Sequence, residues 1–307
     1  MKRKSIFLSL LMALCAAVNS NSFAQDATFS QNFSNPLSFN PAYAGSFGCS
    51  RLALDYRNQF PSVSYNYITY CASYDQYVKP LAGGLGLIFT SLNEEKGTFV
   101  QNSINGMYAL NIRVSDVCHI RPAINVGFGE NSVDLENPPP DYKKSVNYFN
   151  IGAGLLFAYK NFVAGVAYDH INQPDIGFLG GSDLGAKLTL HCNFQIRFDN
   201  NTNLTPGFIY QHQYSENIYL PSLMLKLWYI KLGAEFRLGP NIYHSIIPMI
   251  GFVNKWLSLS YSYDYIIPST DNETPNKGTG GIHEITAVFK FNCRNKAKYG
   301  ITHLYSF

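Results

Sequence analysis

Charged residues are scarce in this chain of 307 residues. They make up 14% of it, against about 25% in typical soluble domains, whereas aromatic residues reach 15%. After residue 24 the chain also lacks any stretch of eighteen apolar residues, which excludes transmembrane helices. Such a chain can cross a bilayer only as a closed barrel of strands, because every backbone donor and acceptor must then be paired within the protein.

Residues 1–24 are predicted to be a signal peptide. Residues 2–4 are basic, and the apolar stretch Ile6–Val18 is too short to span a membrane comfortably. Small residues precede the expected cleavage site between Ala24 and Gln25. A lipoprotein site at Cys15 is the alternative, but a bulky leucine precedes this cysteine where a small residue is needed.

Removal of the signal peptide leaves a mature chain with 20 basic and 20 acidic residues, since it contains three of the 23 basic residues and no acidic one. This balance gives no basic patch, and we expect no nucleic-acid partner. The mature cysteines have no C-x-x-C spacing, so they suggest neither a zinc site nor a dense disulfide framework. One or two disulfides are compatible with an oxidising compartment, but the sequence does not pair Cys49, Cys71, Cys118, Cys192 and Cys293.

Motifs for catalysis are missing. The chain has no His-Glu-x-x-His and no Gly-x-Ser-x-Gly, and its seven histidines show no zinc-ligand spacing. Residues 84–86 and 152–154 resemble pieces of a nucleotide-binding loop, but both lie in alternating segments. We therefore interpret their glycines as small residues that face the lumen or make room for neighbours. We expect no enzymatic activity, no cofactor and no bound metal.

Alternation of apolar and small polar residues predicts the strands. Between residues 257 and 265, Leu259 and Tyr261 share one face, while Ser260 and Asp264 lie on the other. This pattern is typical of a barrel strand with one face toward lipid. A soluble β-sandwich gives a similar pattern, but aromatic residues at the strand ends favour a membrane protein.

About fourteen strands are predicted, in a transmembrane antiparallel up-and-down β-barrel that covers residues 50–292. Short turns join even to odd strands and long polar connections join odd to even, as in an outer-membrane barrel with both termini in the periplasm. Residues 293–307 are assigned to a periplasmic tail. The strands are expected near residues 50–58, 65–78, 83–92, 99–114, 118–130, 147–159, 162–171, 184–198, 204–214, 220–229, 230–238, 246–254, 257–267 and 282–292.

Residues 25–49 form an irregular segment before the barrel. The pairs Asn35-Pro36 and Asn40-Pro41 disfavour a helix, and the prolines remove two backbone donors that a long strand would need. The segment also carries large apolar side chains, each of which gains roughly 1.5–3 kcal/mol on burial. The alternative is a disordered leader, which its polar content would allow. Because of these apolar side chains we predict that it is ordered and packs inside the periplasmic mouth of the barrel or across its rim.

The same segment resembles the start of the PorP/SprF family of type IX secretion outer-membrane proteins. That family has a pattern like F-S-Q-x-x-x-N-P-L-x-x-N-P-A-x-A-G, which this chain approaches between residues 29 and 45. Further similarity follows in RLALDYRNQFP at 51–61, in YCASYDQY at 70–77, in the glycines at 83–86 and in His283-Glu284-Ile285. The resemblance runs from residue 25 to about residue 292, and the tail departs from it.

The resemblance implies a non-enzymatic role in protein export by Bacteroidota, in some members linked to gliding motility and large adhesins. The implied partners are a periplasmic ring lipoprotein and its partner, an inner-membrane motor complex, cargo with C-terminal sorting domains, and outer-membrane lipid. A channel for small solutes is the alternative function. We expect the partner-binding residues to include Phe33, Asn35, Pro36, Leu37, Asn40, Pro41, Tyr43 and Gly45.

Overall fold

The computed structural model of the protein describes residues 28–63, 66–94, 97–135, 142–240, 242–267 and 279–293. The predicted signal peptide, its cleavage site between Ala24 and Gln25, and the tail after Cys293 lie outside these ranges. Within them, no helix is long and apolar enough to cross a membrane.

Fourteen antiparallel strands form a closed barrel, which confirms the predicted fold. Consecutive strands along the chain are neighbours in the sheet. Strand β4 is interrupted at Asn111, and β8 is interrupted at Gln195. The strands are β1 Ser50–Gln59, β2 Tyr67–Val78, β3 Gly83–Glu94, β4 Phe99–Leu110 with Ile112–Ser115, β5 Cys118–Val133, β6 Ser145–Tyr159, β7 Phe162–Asp169, β8 Lys187–Phe194 with Ile196–Arg197, β9 Thr202–Gln213, β10 Glu216–Leu227, β11 Ile230–Arg237, β12 Ser245–Val253, β13 Leu257–Ile266 and β14 Ile282–Phe291.

The first and last strands close the barrel, and we call their pairing the seam. It extends from Ser50 opposite Phe291 to Gln59 opposite Ile282. A disulfide between Cys49 and Cys293 joins the chain just outside the seam, and Cys71, Cys118 and Cys192 are free thiols. The structure thus selects a cysteine pair that the sequence left open.

The two ends of the barrel carry different connections. We call the end at which β1 begins and β14 ends the terminal end, and the opposite end the loop end. Turns of two to four residues join even to odd strands at the terminal end. The strands that precede and follow the long connections 134–144, 170–186 and 267–281 end and begin at the loop end. The predicted short turns between even and odd strands are confirmed, but the odd-to-even connections are not all long, since only residues 214–215 join β9 to β10. One predicted strand is displaced, because β10 begins at Glu216 and pairs there with the end of β9.

The faces of the strands follow the alternation. Leu259 and Tyr261 point outward and are 46% and 38% exposed, while Ser260 and Asp264 are buried on the lumen side. Because a one-residue slip would exchange the faces, the predicted register of β13 is confirmed. Exposed aromatic side chains, which favour membrane–water interfaces, lie near both ends: Tyr159, Phe198, Trp228, Tyr229 and Trp256 at the terminal end, and Tyr70, Tyr168, Tyr219, Tyr243 and Tyr265 toward the loop end.

Candidate functional site

Residues 28–49 occupy the lumen of the barrel, and we call this segment the plug. Together with wall residues such as Ile88 and Leu156, its apolar side chains form one buried cluster. Burial of each large apolar side chain contributes roughly 1.5–3 kcal/mol, which explains why the segment is ordered. The plug side chains of this cluster that are at most 9% exposed include Phe29, Leu37, Phe39, Tyr43 and Phe47.

The two Asn-Pro pairs begin two single turns of 3₁₀ helix in the plug. These turns are Pro36–Ser38 and Pro41–Tyr43, each with Pro at its first position. Pro suits this position because its missing N–H would have no helical partner there. The Asn40 side chain accepts the Ala42 N–H at 2.9 Å and caps the second turn. The composition therefore gives a compact backbone that is neither a long helix nor a strand.

Charged wall residues hold the plug backbone at the terminal end. Arg121 of β5 donates from Nε to the Ala42 carbonyl oxygen at 3.0 Å and from Nη2 to that of Ala44. Asp75 of β2 accepts the Gly45 N–H at 2.9 Å. Hydrogen bonds to ionised groups are stronger than neutral ones. Because both wall residues are buried, water does not compete for them.

One wall histidine binds the middle of the plug. The Asn40 amide nitrogen donates to His191 Nε2 at 2.9 Å, and Tyr43 Oη lies 3.3 Å from His191 Nδ1. Since the amide NH₂ can only donate, Nδ1 carries the ring proton in this arrangement. Phe39 packs edge-on against the same imidazole, with 5.0 Å between ring centroids. These three contacts fix the second turn against β8.

A buried polar cluster holds the beginning of the plug. Glu284 of β14 accepts the backbone N–H groups of Ser30 and Gln31, both at 2.9 Å. The Ser30 hydroxyl donates to Asp264 of β13 at 2.8 Å and accepts from Arg57 of β1 at 2.8 Å. Arg237 of β11 also donates to this hydroxyl at 3.1 Å, so a single serine connects four strands of the wall.

Two arginines balance the carboxylates of this cluster. Arg57 lies 2.8 Å from Glu284 and 3.3 Å from Asp264, and Arg237 of β11 lies 2.8 Å from Asp264. These side chains are at most 10% exposed. Removal of one partner would leave a buried charge without its counterion, which is strongly destabilising. The cluster therefore depends on all of its members.

Asn35 forms a fourth anchor, between the buried polar cluster and the residues bound by His191. Its amide nitrogen donates to Asp55 of β1 at 2.7 Å, and its amide oxygen accepts from Ser73 of β2 at 2.8 Å. Asp55 also accepts the Thr286 hydroxyl of β14 at 2.6 Å. Both the nitrogen and the oxygen of this amide therefore bind wall residues around the seam.

Glycines of the wall leave space for the plug. A Cβ atom added at Gly84 would lie 1.9 Å from the Ala44 carbonyl oxygen, and one added at Gly154 would lie 2.4 Å from Asn40 Oδ1. Both glycines belong to the two segments with nucleotide-loop-like spacing. The interpretation of these glycines as residues that make room for neighbours is confirmed.

A polar cavity of about 120 Å³ lies beside the plug in the loop-end half of the barrel. Phe29 and Leu37 of the plug line one side, and the amides of Asn105, Asn125 and Asn150 line the wall. The cavity can hold solvent or a small polar ligand. Within the described ranges, no group of three or more His, Cys, Asp or Glu side chains is arranged to hold a metal ion.

The plug extends along the barrel axis. Its Gly45 contacts Asp75 near the terminal end of β2, whereas its Ser30 contacts Arg57 near the loop end of β1. It therefore reaches farther into the lumen than the mouth at which we expected it.

Comparison with known families agrees with this architecture. The model of the family described as type IX secretion system membrane protein PorP/SprF matches residues 21–289. The chain belongs to this family. No curated protein matches it in sequence.

The barrel of this PorP/SprF protein is similar to solved transporter and channel structures. The Ralstonia pickettii toluene transporter TbuX has a TM-score of 0.54 and 9% identity, covering 84% of this chain and 94% of that chain. A Pseudomonas aeruginosa FadL homologue has a TM-score of 0.51 and 9% identity, covering 88% and 100%. A deletion mutant of the TodX monoaromatic hydrocarbon channel has a TM-score of 0.52 and 10% identity, covering 86% and 94%. At these identities the likeness shows the fold alone.

The plug residues expected to bind partners lie together inside the lumen of this PorP/SprF barrel. Phe33 is half-buried and packs against a small apolar cluster of the wall, and the other seven are buried: Asn35, Pro36, Leu37, Asn40, Pro41, Tyr43 and Gly45. Their role in partner binding stays a prediction.

Several wall residues of the site were not singled out from the sequence. They share one signal, a charged or imidazole side chain at a lumen-facing position of an alternating strand. These residues are Arg57, Asp75, Arg121 and His191.

Proposed function

We propose that this PorP/SprF protein is an outer-membrane component of the type IX secretion system and helps to export cargo by protein–protein contact. Cleavage between Ala24 and Gln25 would release the mature chain for insertion into the outer membrane. The terminal end would face the periplasm, because outer-membrane barrels carry their short turns on that side.

The filled lumen is the observation that supports a contact role. A pore for solutes needs a continuous aqueous path, and the plug has buried anchors at the terminal end, in the middle and in the loop-end half. Displacing it would break many buried hydrogen bonds, each of which leaves a donor or acceptor unsatisfied at a cost of roughly 1–3 kcal/mol.

The proposed partners are the periplasmic ring lipoprotein and its partner, the inner-membrane motor complex, and cargo with C-terminal sorting domains, including gliding adhesins. These would meet the terminal end of the barrel. Because the side chains of the eight plug residues are mostly buried, they would act by fixing the shape of this end rather than by direct contact.

A channel for small solutes is the second candidate. The likeness in fold to a toluene transporter and a hydrocarbon channel favours it, as does the polar cavity at the loop end. In this case the plug would have to move during transport.

A plug locked to the wall distinguishes the two candidates. A Cβ atom at Gly86 would lie 3.1 Å from the Ala44 Cβ, near the separation of about 3.5–4.5 Å that a disulfide needs. The double variant Ala44→Cys/Gly86→Cys should therefore form a crosslink between plug and β3. The gene for this double variant, with Cys118 and Cys192 also changed to Ala, would replace the wild-type gene in the host.

The contact role predicts that cells with the oxidised crosslink still secrete proteins with type IX sorting domains, while cells without the gene do not. The single variant Ala44→Cys is the control for any effect of the substitution itself. A channel for small solutes predicts instead that cells without the gene still secrete these proteins, and that oxidation of the crosslink stops solute uptake until it is reduced.

A further inference from the structure

The seam joins parts of the chain that are far apart in sequence. The other strand pairs that the structure describes are between consecutive strands, whereas the seam pairs Glu284 with Arg57, 227 residues earlier in the chain. Consecutive strands find each other through short connections. The closure of a long loop costs more entropy and slows pairing. Of all these strand pairs, the seam therefore has the highest entropic cost of formation.

The plug binds both strands of the seam at its loop-end level. Arg57 and Glu284 are direct partners in the seam and are 2.8 Å apart. Glu284 accepts the backbone N–H groups of Ser30 and Gln31, and Arg57 donates to the Ser30 hydroxyl. One turn of the plug therefore bridges the two strands.

A second bridge lies one lumen-facing pair closer to the terminal end. Asp55 and Thr286 are also direct partners in the seam, and their side chains are hydrogen-bonded at 2.6 Å. Asn35 of the plug donates to the same carboxylate at 2.7 Å. Two successive lumen-facing pairs of the seam are thus completed by residues of the plug.

We propose that residues 30–35 of the plug act as a template for closing the barrel. Asn35 is only 20 residues from Asp55 and 38 from Ser73, so the plug can bind β1 and β2 by short loops before the seam forms. It then presents two N–H groups and a hydroxyl to the last strand. The carboxylate of Glu284 would dock on these groups and set the register of β14.

This assembly function differs from simple filling of the lumen, which would make all plug contacts equivalent. Asn40 provides the comparison, because it is also a buried plug asparagine but binds β7 and β8, away from the seam. A template requires that loss of an Asn35 contact delays the seam, whereas loss of the Asn40 contacts does not.

Cysteine pairs on the outer face can report each pairing separately. Leu54→Cys/Ala287→Cys lies directly across the seam, and Ile250→Cys/Tyr261→Cys lies directly across β12 and β13. Each pair would be placed in full-length protein with Cys118 and Cys192 changed to Ala. The rate of thiol crosslinking is then followed in newly made chains as they enter the membrane. The native Cys49–Cys293 disulfide gives a second readout of the seam.

Asn35→Asp is the test variant, because it keeps the side-chain volume and places a carboxylate against Asp55. We expect seam crosslinking to slow about tenfold, the size of one lost buried hydrogen bond, with the β12–β13 pair unchanged. Addition of Asp55→Asn restores a donor opposite position 35 and should recover the rate. Asn40→Ala should leave seam crosslinking at the wild-type rate.

The proposal is overturned if Asn35→Asp closes the seam at the wild-type rate, if Asn40→Ala delays it equally, or if both cysteine pairs slow together. It is also overturned if the added Asp55→Asn change gives no recovery. If Asn35→Asp is degraded before insertion, Ser30→Ala takes its place as the test variant, because it removes the hydroxyl that binds Arg57. The template then requires that Ser30→Ala slows crosslinking of the seam pair but not of the β12–β13 pair.

Discussion

A single added methyl group can measure how closely the plug fits the wall. At Gly84 a Cβ atom would lie 1.9 Å from the carbonyl oxygen of Ala44, which is backbone and cannot rotate away. Gly84→Ala should therefore lower the free energy of unfolding by about 1–3 kcal/mol, as overpacking does in other cores. Denaturant unfolding of the reconstituted barrel measures this change.

Gly106→Ala on the neighbouring strand is the matched control. A Cβ atom there meets nothing closer than the Val126 carbonyl oxygen at 3.8 Å. We expect its unfolding free energy to stay close to that of the wild type. Equal effects of the two substitutions would mean that the plug does not press on β3.

Arginine substitutions on the outer face test where the barrel sits in the bilayer. Ile250 lies in the middle of β12 and is 57% exposed, while Ile246 lies on the same face near the loop end. A charge near the bilayer midplane costs about 2–4 kcal/mol and near the interface about 0–1 kcal/mol. Ile250→Arg should thus destabilise the folded barrel in lipid vesicles far more than Ile246→Arg. A similar loss at both sites would contradict this placement in the membrane.

An arginine substitution at a lumen-facing position is not a neutral control for these outer-face variants. Ser260 points away from lipid, as predicted, yet its hydroxyl contacts Gln31 and Ser34 of the plug. An arginine at this position would collide with the plug instead of entering water. The sequence predicted the direction of the side chain but not what it would meet.

At the scale of elements, the connection 170–186 is ordered by one carboxylate. Asp175 accepts the backbone N–H groups of Gly177 and Gly181, both at 2.9 Å. These hydrogen bonds hold the pKa of the Asp175 carboxyl below its ordinary value. Their contribution is therefore present above the pKa of an unfolded Asp, about 3.9, and is lost as the pH falls through the lowered pKa.

We expect Asp175→Ala to open this connection at neutral pH, with faster amide hydrogen exchange at residues 177–182. In the wild type, the same amides should lose protection when the pH falls below about 4. Asp183→Ala changes the same charge in the same connection without removing these bonds, and its exchange should match the wild type. If Asp183→Ala exchanges as fast as Asp175→Ala, charge alone explains the effect.

The strands could be predicted from the sequence because alternation is a local property. Each wall strand has lipid on one side, so its outer residues are apolar and the period of two is visible. The plug is surrounded by the lumen wall on every side, so its environment does not alternate and its sequence shows no period. Its composition predicted order and excluded a long helix or strand, but the pairing of Asn40 with His191 depends on a fold that no local pattern encodes.

Across the whole molecule, the longest-range contacts were the least predictable. Cys49 and Cys293 are 244 residues apart, and they meet only because β1 and β14 are neighbours. The same holds for Ser30 and Glu284. Even so, the inward direction predicted for Asp264 was correct, since it follows from alternation alone.

A PorP/SprF barrel whose lumen is filled by its own N-terminal segment should have no open pore. Single-channel recording of the purified protein in planar bilayers measures whether it has one. The wild type should give no stable open-channel current. Arg121→Ala, which frees the Ala42 and Ala44 carbonyl groups from the wall, should give intermittent currents as the plug loosens. A steady conductance of wide-pore size in the wild type, unchanged by Arg121→Ala, would show that the plug does not close the lumen.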